Sequence, residues 1–153
     1  METAVLGLAY SEKYKDLGLP ECYSPDALVD LYITRLTDKP NDRAWIYKKE
    51  DGTQTFRLDT GVVLDIPKGW VGEIFINRHF TLQTKASLLT GVGLVLPAKD
   101  LKELTLSLVT SDRDVRVEEG MLVAHMILRP IYQIERKEIK FSFKRLFKKV
   151  HHK

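Results

Sequence analysis

The sequence predicts an all-β domain of the sandwich, jelly-roll or β-barrel kind, and three observations point there. The dominant hydrophobic period is two rather than 3.6. Apolar residues come in short aromatic or β-branched runs. Polar, Gly or Pro clusters separate those runs at short intervals. At 153 residues the chain is long enough for one such domain with its own core.

The N-terminal stretch Met-Glu-Thr-Ala-Val-Leu-Gly-Leu-Ala-Tyr lacks the basic region and long apolar core of a signal peptide. Residues 12–19 form a polar lead-in without an assignable element. Leu31-Tyr32-Ile33 and Ala44-Trp45-Ile46-Tyr47 read as strands, and the Asp51-Gly52 pair that follows reads as a hairpin turn. Further strands are expected over 61–66, 72–76, 87–96, 103–109 and 121–129. Pro67-Lys68-Gly69, Ser111-Asp112-Arg113-Asp114 and Glu118-Glu119-Gly120 supply the turns between them. Gly69 and Gly72 around Trp70 suit a tight hairpin, because glycine reaches positive φ without steric cost.

The C-terminus departs from this pattern. Residues 137–143 alternate charged or polar with apolar side chains, as a half-exposed strand does. Phe143, Leu146, Phe147 and Val150 then recur on one face of a helix, with Lys144, Arg145, Lys148 and Lys149 covering the others. The expected organisation is one β domain over 1–135 followed by a basic amphipathic arm over 136–153.

Composition excludes several classes. A formal charge of +3 is too small for a dedicated nucleic-acid binder, and the strands lack the aromatic–basic alternation of single-strand binders. Cys22 is alone, which rules out an internal disulfide framework and a multi-cysteine zinc site. No apolar run approaches the roughly 20 residues a membrane helix needs. An intracellular protein, cytoplasmic or virion-borne and not secreted, is expected.

Three blocks carry a resemblance to a known family. Ala27-Leu28-Val29-Asp30-Leu31-Tyr32 is one. Thr60-Gly61, with Pro67-Lys68-Gly69-Trp70-Val71-Gly72 leading to Asn77-Arg78-His79-Phe80, is another. Glu119-Gly120-Met121-Leu122-Val123-Ala124-His125-Met126 is the third. Together they resemble, in order and spacing over roughly 25–130, motifs of the trimeric dUTP nucleotidohydrolases (dUTPases) and their dCTP deaminase relatives. The resemblance implies a distorted jelly roll and a homotrimer in which the C-terminal segment crosses to a neighbouring subunit. It also implies pyrophosphate release from a nucleoside triphosphate. That chemistry needs a carboxylate to activate water, donors for the phosphates and usually Mg²⁺.

The same alignment puts other residues where that chemistry belongs. Residues 94–103 fall on the family's third motif, so Pro97 takes the water-activating aspartate position and Asp100 that of the tyrosine stacking on the sugar. Arg78 matches the second motif's arginine, but His79 replaces the phosphate-binding serine and Phe80 the following glycine, crowding space a phosphate needs. His125 replaces the fourth motif's glutamine. The glycine-rich fifth motif is missing, and the lysine-rich tail occupies its place. Deaminase chemistry needs a glutamate well inside the strand at 103–109, and Glu103 is too early.

The sequence thus points to a non-catalytic, dUTPase-like trimeric binding or assembly module. A viral or phage protein that stabilises or decorates a capsid is one such role, by analogy. No catalytic residue, metal site or cofactor is expected. The arm residues Phe143, Lys144, Arg145, Leu146, Phe147, Lys148, Lys149 and Val150 would meet a capsid or other acidic protein surface. The alternatives are a regulatory protein that binds host factors and a divergent nucleotidase. The latter would bind nucleotide through Arg78, His79, Asp100 and His125 with Mg²⁺, the two histidines pairing as phosphate or metal ligands.

Overall fold

The computed structural model describes residues 3–18, 20, 28–33, 44–48, 54–111 and 114–141. Ten strands and one α-helix follow each other: β1 (Gly7–Tyr10), a 3-10 helix (Glu12–Leu17), β2 (Leu28–Tyr32), β3 (Ala44–Lys48), β4 (Gln54–Asp65), β5 (Trp70–Ile76), α1 (Arg78–Thr84), β6 (Ala86–Leu88), β7 (Gly93–Val95), β8 (Glu103–Thr110), β9 (Asp114–Glu118) and β10 (Leu122–Pro130). They form two four-stranded sheets, ordered β1-β4-β8-β6 and β2-β10-β5-β7, and a ribbon of β3 with β9. All pairings are antiparallel. The all-β fold expected from the period-two pattern is what forms.

Alternation explains the core. Along β4, Phe56, Leu58, Val62 and Leu64 are buried, while Thr55, Arg57 and Asp59 face water. Val29, Leu31, Ile74, Ala124 and Met126 of the second sheet and Leu106 and Leu108 of β8 join them in one cluster. A bulge interrupts the β4–β8 ladder. Four steps along β4, from Asp59 to Val63, match two along β8, from Thr105 to Glu103, so the inward face stays inward. Gly61 takes φ 74° there. The Thr60 hydroxyl repairs the ladder, donating to Leu104 O (2.9 Å) and accepting from Val62 N (3.2 Å). The Gly61 carbonyl accepts from Ser11 N at 2.8 Å.

Several expectations change. The Asp51-Gly52 turn lies outside the described residues, but its flanking strands are not hairpin partners: β3 pairs with β9, and β4 with β1 and β8. Pro67-Lys68-Gly69 is a turn between sheets rather than within one, since β4 and β5 belong to different sheets. Gly72 is not a turn residue either. A Cβ there would lie 2.5 Å from the Met126 sulfur, so glycine permits the close approach of β5 to β10. The 87–96 strand is two short strands joined by a turn. Residues 131–141 carry no strand and are exposed, unlike the half-buried strand expected over 137–143. The helical face beyond Ser142 lies outside the described residues.

Candidate functional site

The end of β5 and the start of α1 build the site. Asn77 N donates to Val123 O at 2.7 Å, continuing the β5–β10 ladder one residue past the strand. The chain then turns into α1, and the Asn77 carboxamide caps it. Asn77 Oδ1 accepts from Phe80 N at 3.1 Å, an ordinary N-cap geometry. Phe80 is 1% exposed and belongs to the main core. Its ring therefore does not crowd a phosphate pocket, as its place in the sequence suggested; it anchors α1 to the sheets. The helix is held at its other end by the Thr110 hydroxyl, 3.2 Å from Thr84 O and 3.0 Å from Lys85 O.

His125 stands on the outer face of β10, between Asp30 of β2 and Phe75 of β5. Its Nδ1 lies 2.7 Å from Asp30 Oδ1 and its Nε2 lies 2.9 Å from Asn77 Nδ2. The cap fixes the polarity of this chain. Because Asn77 Oδ1 is taken by Phe80 N–H, the amide must present its NH₂ to the imidazole. Nε2 is then the acceptor and Nδ1–H the donor to Asp30. Both side chains are largely enclosed, with 27% of His125 and 19% of Asp30 exposed.

This arrangement joins His125, singled out in the sequence, to Asp30 of the first resembling block at the start of the helix bearing Arg78 and His79. Arg78 and His79 are exposed on its first turn. Pro97 and Asp100 are exposed on the segment between β7 and β8. No hydrogen bond or ion pair among the described residues joins Asp100 to Arg78, His79 or His125. Both ring nitrogens of His125 are engaged within the chain, by Asn77 and Asp30. Among the described residues, no group of three or more His, Cys, Asp or Glu side chains gathers to hold a metal ion.

Asn77 was missed in the sequence. Its signal was an asparagine directly before a segment with Phe80 and Thr84 at i, i+4, an N-cap and one helical face. A second polar cluster was missed as well. Lys13 Nζ lies 3.3 Å from Glu103 Oε2 and 3.8 Å from Asp59 Oδ2, and 5.3 Å from the centre of the Tyr14 ring. Thr105 Oγ1 donates to Asp59 Oδ1 at 3.0 Å.

Two sheets closed over one core, with the β2, α1 and β10 residues brought to one face, define a dUTPase-like fold. Solved structures with this fold include a single-residue variant of the Staphylococcus bacteriophage 80alpha dUTPase. It is 17% identical with a TM-score of 0.63, over 92% of this chain and 99% of that one. The 80alpha enzyme with dUpNHpp is 15% identical with a TM-score of 0.64, over 92% of this chain and 91% of that one. A variant dUTPase from phage phi11 of S. aureus, described for its coordination of a structural Mg(II) ion, is 16% identical with a TM-score of 0.62, over 91% and 99%. No protein-family model matches the chain, and no curated protein matches it in sequence. Among the described residues no helix is long and apolar enough to cross a membrane.

Proposed function

We propose that the chain is a non-catalytic, dUTPase-like homotrimeric binding and assembly module, with residues 1–135 as its body and 136–153 as an adhesive arm. The observation that carries this reading is the closed chain Asp30–His125–Asn77–Phe80 N–H. Of the positions the resemblance assigns to substrate contacts, His125 has both ring nitrogens taken up within the chain, by Asp30 and Asn77. Pro97 cannot act as a base, and Asp100 offers no ring to stack on a sugar. Trimer formation is supported by the exposed Ile131, Tyr132, Ile134, Ile139 and Phe141, an apolar supply in a segment held to the body by Ile131 N on Gly69 O at 2.7 Å. A structural role in a virion fits the phage origin of the similar folds, and the protein would then work in the virion or the cytoplasm of an infected cell. The lysine-rich arm suits an acidic protein surface better than nucleic acid.

The test is incubation with dUTP and the other deoxynucleoside triphosphates with Mg²⁺, followed by pyrophosphate detection. No release is expected. Turnover that disappears in Arg78→Ala overturns the reading in favour of a divergent nucleotidase using Arg78, His79, Asp100, His125 and Mg²⁺. Light scattering should give three times the chain mass, and a monodisperse monomer counts against the trimer. Deleting residues 141–153 should abolish partner or particle binding while leaving the β domain folded.

One observation favours a second reading, a regulatory protein that binds a host factor. The similar 80alpha structures are described as phage dUTPases that control transfer of virulence genes by a G protein-like mechanism. A regulator would bind a soluble host protein in the absence of any particle, and a capsid component would not.

A further inference from the structure

We infer that the Asp30–His125–Asn77 chain is a proton-operated lock on the first turn of α1. With the imidazole neutral, Phe80 N–H, Asn77 Nδ2 and His125 Nδ1–H each meet an acceptor. Asn77 Oδ1 accepts from Phe80 N–H at 3.1 Å, Asn77 Nδ2 donates to His125 Nε2 at 2.9 Å, and His125 Nδ1–H donates to Asp30 Oδ1 at 2.7 Å. A proton added to Nε2 sets one N–H against another. The carboxamide relieves this by rotating to offer Oδ1 to the imidazolium, which turns its NH₂ toward Phe80 N–H, where it cannot accept. The helix then loses its cap. The Nδ1–H bond to Asp30 Oδ1 at 2.7 Å keeps the ring in place meanwhile. A positive charge beside a helix N-terminus acts in the same direction.

The surroundings leave His125 as the group that operates the lock. From β2 it faces Asp30, and Tyr32 stands across from Leu122 further along. From β5 it faces Phe75, which carries no charge. Glu73 lies opposite Ile127 on the same face and is paired with Arg129 at 2.7 Å. From α1 come Asn77 itself and the exposed Arg78 and His79. His79 is a second imidazole and adjoins Phe80 in the chain, so the test must separate the two histidines. The lock does not depend on whether the protein hydrolyses nucleotides.

The experiment is NMR on the full-length labelled chain. At pH 8 the ring nitrogen carrying the proton in His125 should be Nδ1. From pH 8 to 5 the Phe80 amide resonance should move with the titration of the His125 ring. The amide's protection against hydrogen exchange, corrected for the intrinsic rate, should fall on the order of tenfold. In His125→Gln, which keeps His79, the fall should vanish. In Asn77→Asp two carboxylate oxygens can serve Phe80 N–H and the imidazolium together, so protection should persist at pH 5. A Phe80 amide indifferent to ionisation of His125 overturns the lock. So does a neutral ring protonated at Nε2, or an unchanged acid response in His125→Gln.

Discussion

Asn77 Nδ2 lies 2.9 Å from His125 Nε2, while the oxygen of the same carboxamide receives the Phe80 N–H at 3.1 Å. The side chain thereby opens a helix and fixes which imidazole nitrogen carries the proton, while the Asn77 backbone N–H closes the strand on Val123 O. A serine or aspartate could cap the helix as well, but an ionised aspartate has no hydrogen to donate to His125, and a serine would have to serve Phe80 N–H and His125 through one oxygen. The pairing couples β10 to α1 across 48 residues of chain.

Asn77→Ala should therefore cost more than a cap alone. Losing an N-cap asparagine costs about 1 kcal/mol, within a range of roughly 0.5–2 kcal/mol. Here Phe80 N–H and His125 Nε2 lose their partner together, which moves the expectation to about 1.5–2 kcal/mol. Urea unfolding of the two proteins at pH 8 measures the difference. A loss under about 0.5 kcal/mol would mean that water replaces the carboxamide at both groups.

Phe80→Ala tests whether the ring is an anchor or an obstruction. The side chain is 1% exposed among core residues of both sheets, and truncating such a phenylalanine costs about 3–5 kcal/mol. We expect a loss of that size with no gain of nucleotide binding by calorimetry. A variant of unchanged stability that binds dUTP would return the ring to the phosphate site.

Gly72→Ala should destabilise through one neighbour. The added Cβ would come within 2.5 Å of Met126 Sδ and 3.2 Å of its Cγ, with Ile66 Cδ1 at 3.4 Å. Met126 is wholly buried and cannot swing into water, so overpacking by about 1–3 kcal/mol is expected. Adding Met126→Ala removes the obstructing atoms. The double variant should be more stable than the sum of the single effects predicts, which denaturant midpoints of all four proteins will show.

The fold was legible where alternation and glycine chemistry coincide. Thr60-Gly61 stood out in the sequence, and the structure supplies the reason: a bulge that needs positive φ at Gly61 and a hydroxyl at Thr60 to mend the ladder. The β3–β9 pairing was not legible, because a local Asp-Gly signal says nothing about which distant strand completes a ribbon. Helix α1 was hidden because seven residues carry too little periodicity, and Phe80 was weighed as an intruder in a motif rather than as an anchor. His125 stands out in the sequence and Asp30 lies inside a resembling block, but their 2.7 Å contact spans 95 residues of sequence. Only the antiparallel register of β2 on β10 reveals it.

Lys13 carries a prediction about alkaline pH. Burial, the strongest influence, pushes its pKa down. Its charge interactions with Tyr14, Glu103 and Asp59, together with the hydrogen bond to Glu103, outweigh burial and leave the pKa above 10.5. A folded-state value above the unfolded one means the folded protein holds the proton more tightly. The stabilisation is then complete below about pH 10.4, the ordinary lysine value, and fades as pH climbs through the raised one. Its size is small, because 45% of the Lys13 side chain is exposed and such pairs contribute about 0–1 kcal/mol. Lys13→Met should lower the urea midpoint slightly at pH 8, and the gap from the parent should narrow only as pH climbs above about 10.4. A gap that stays constant over that range would assign the loss to the packing of the lysine stem on the 3-10 helix instead of to its charge.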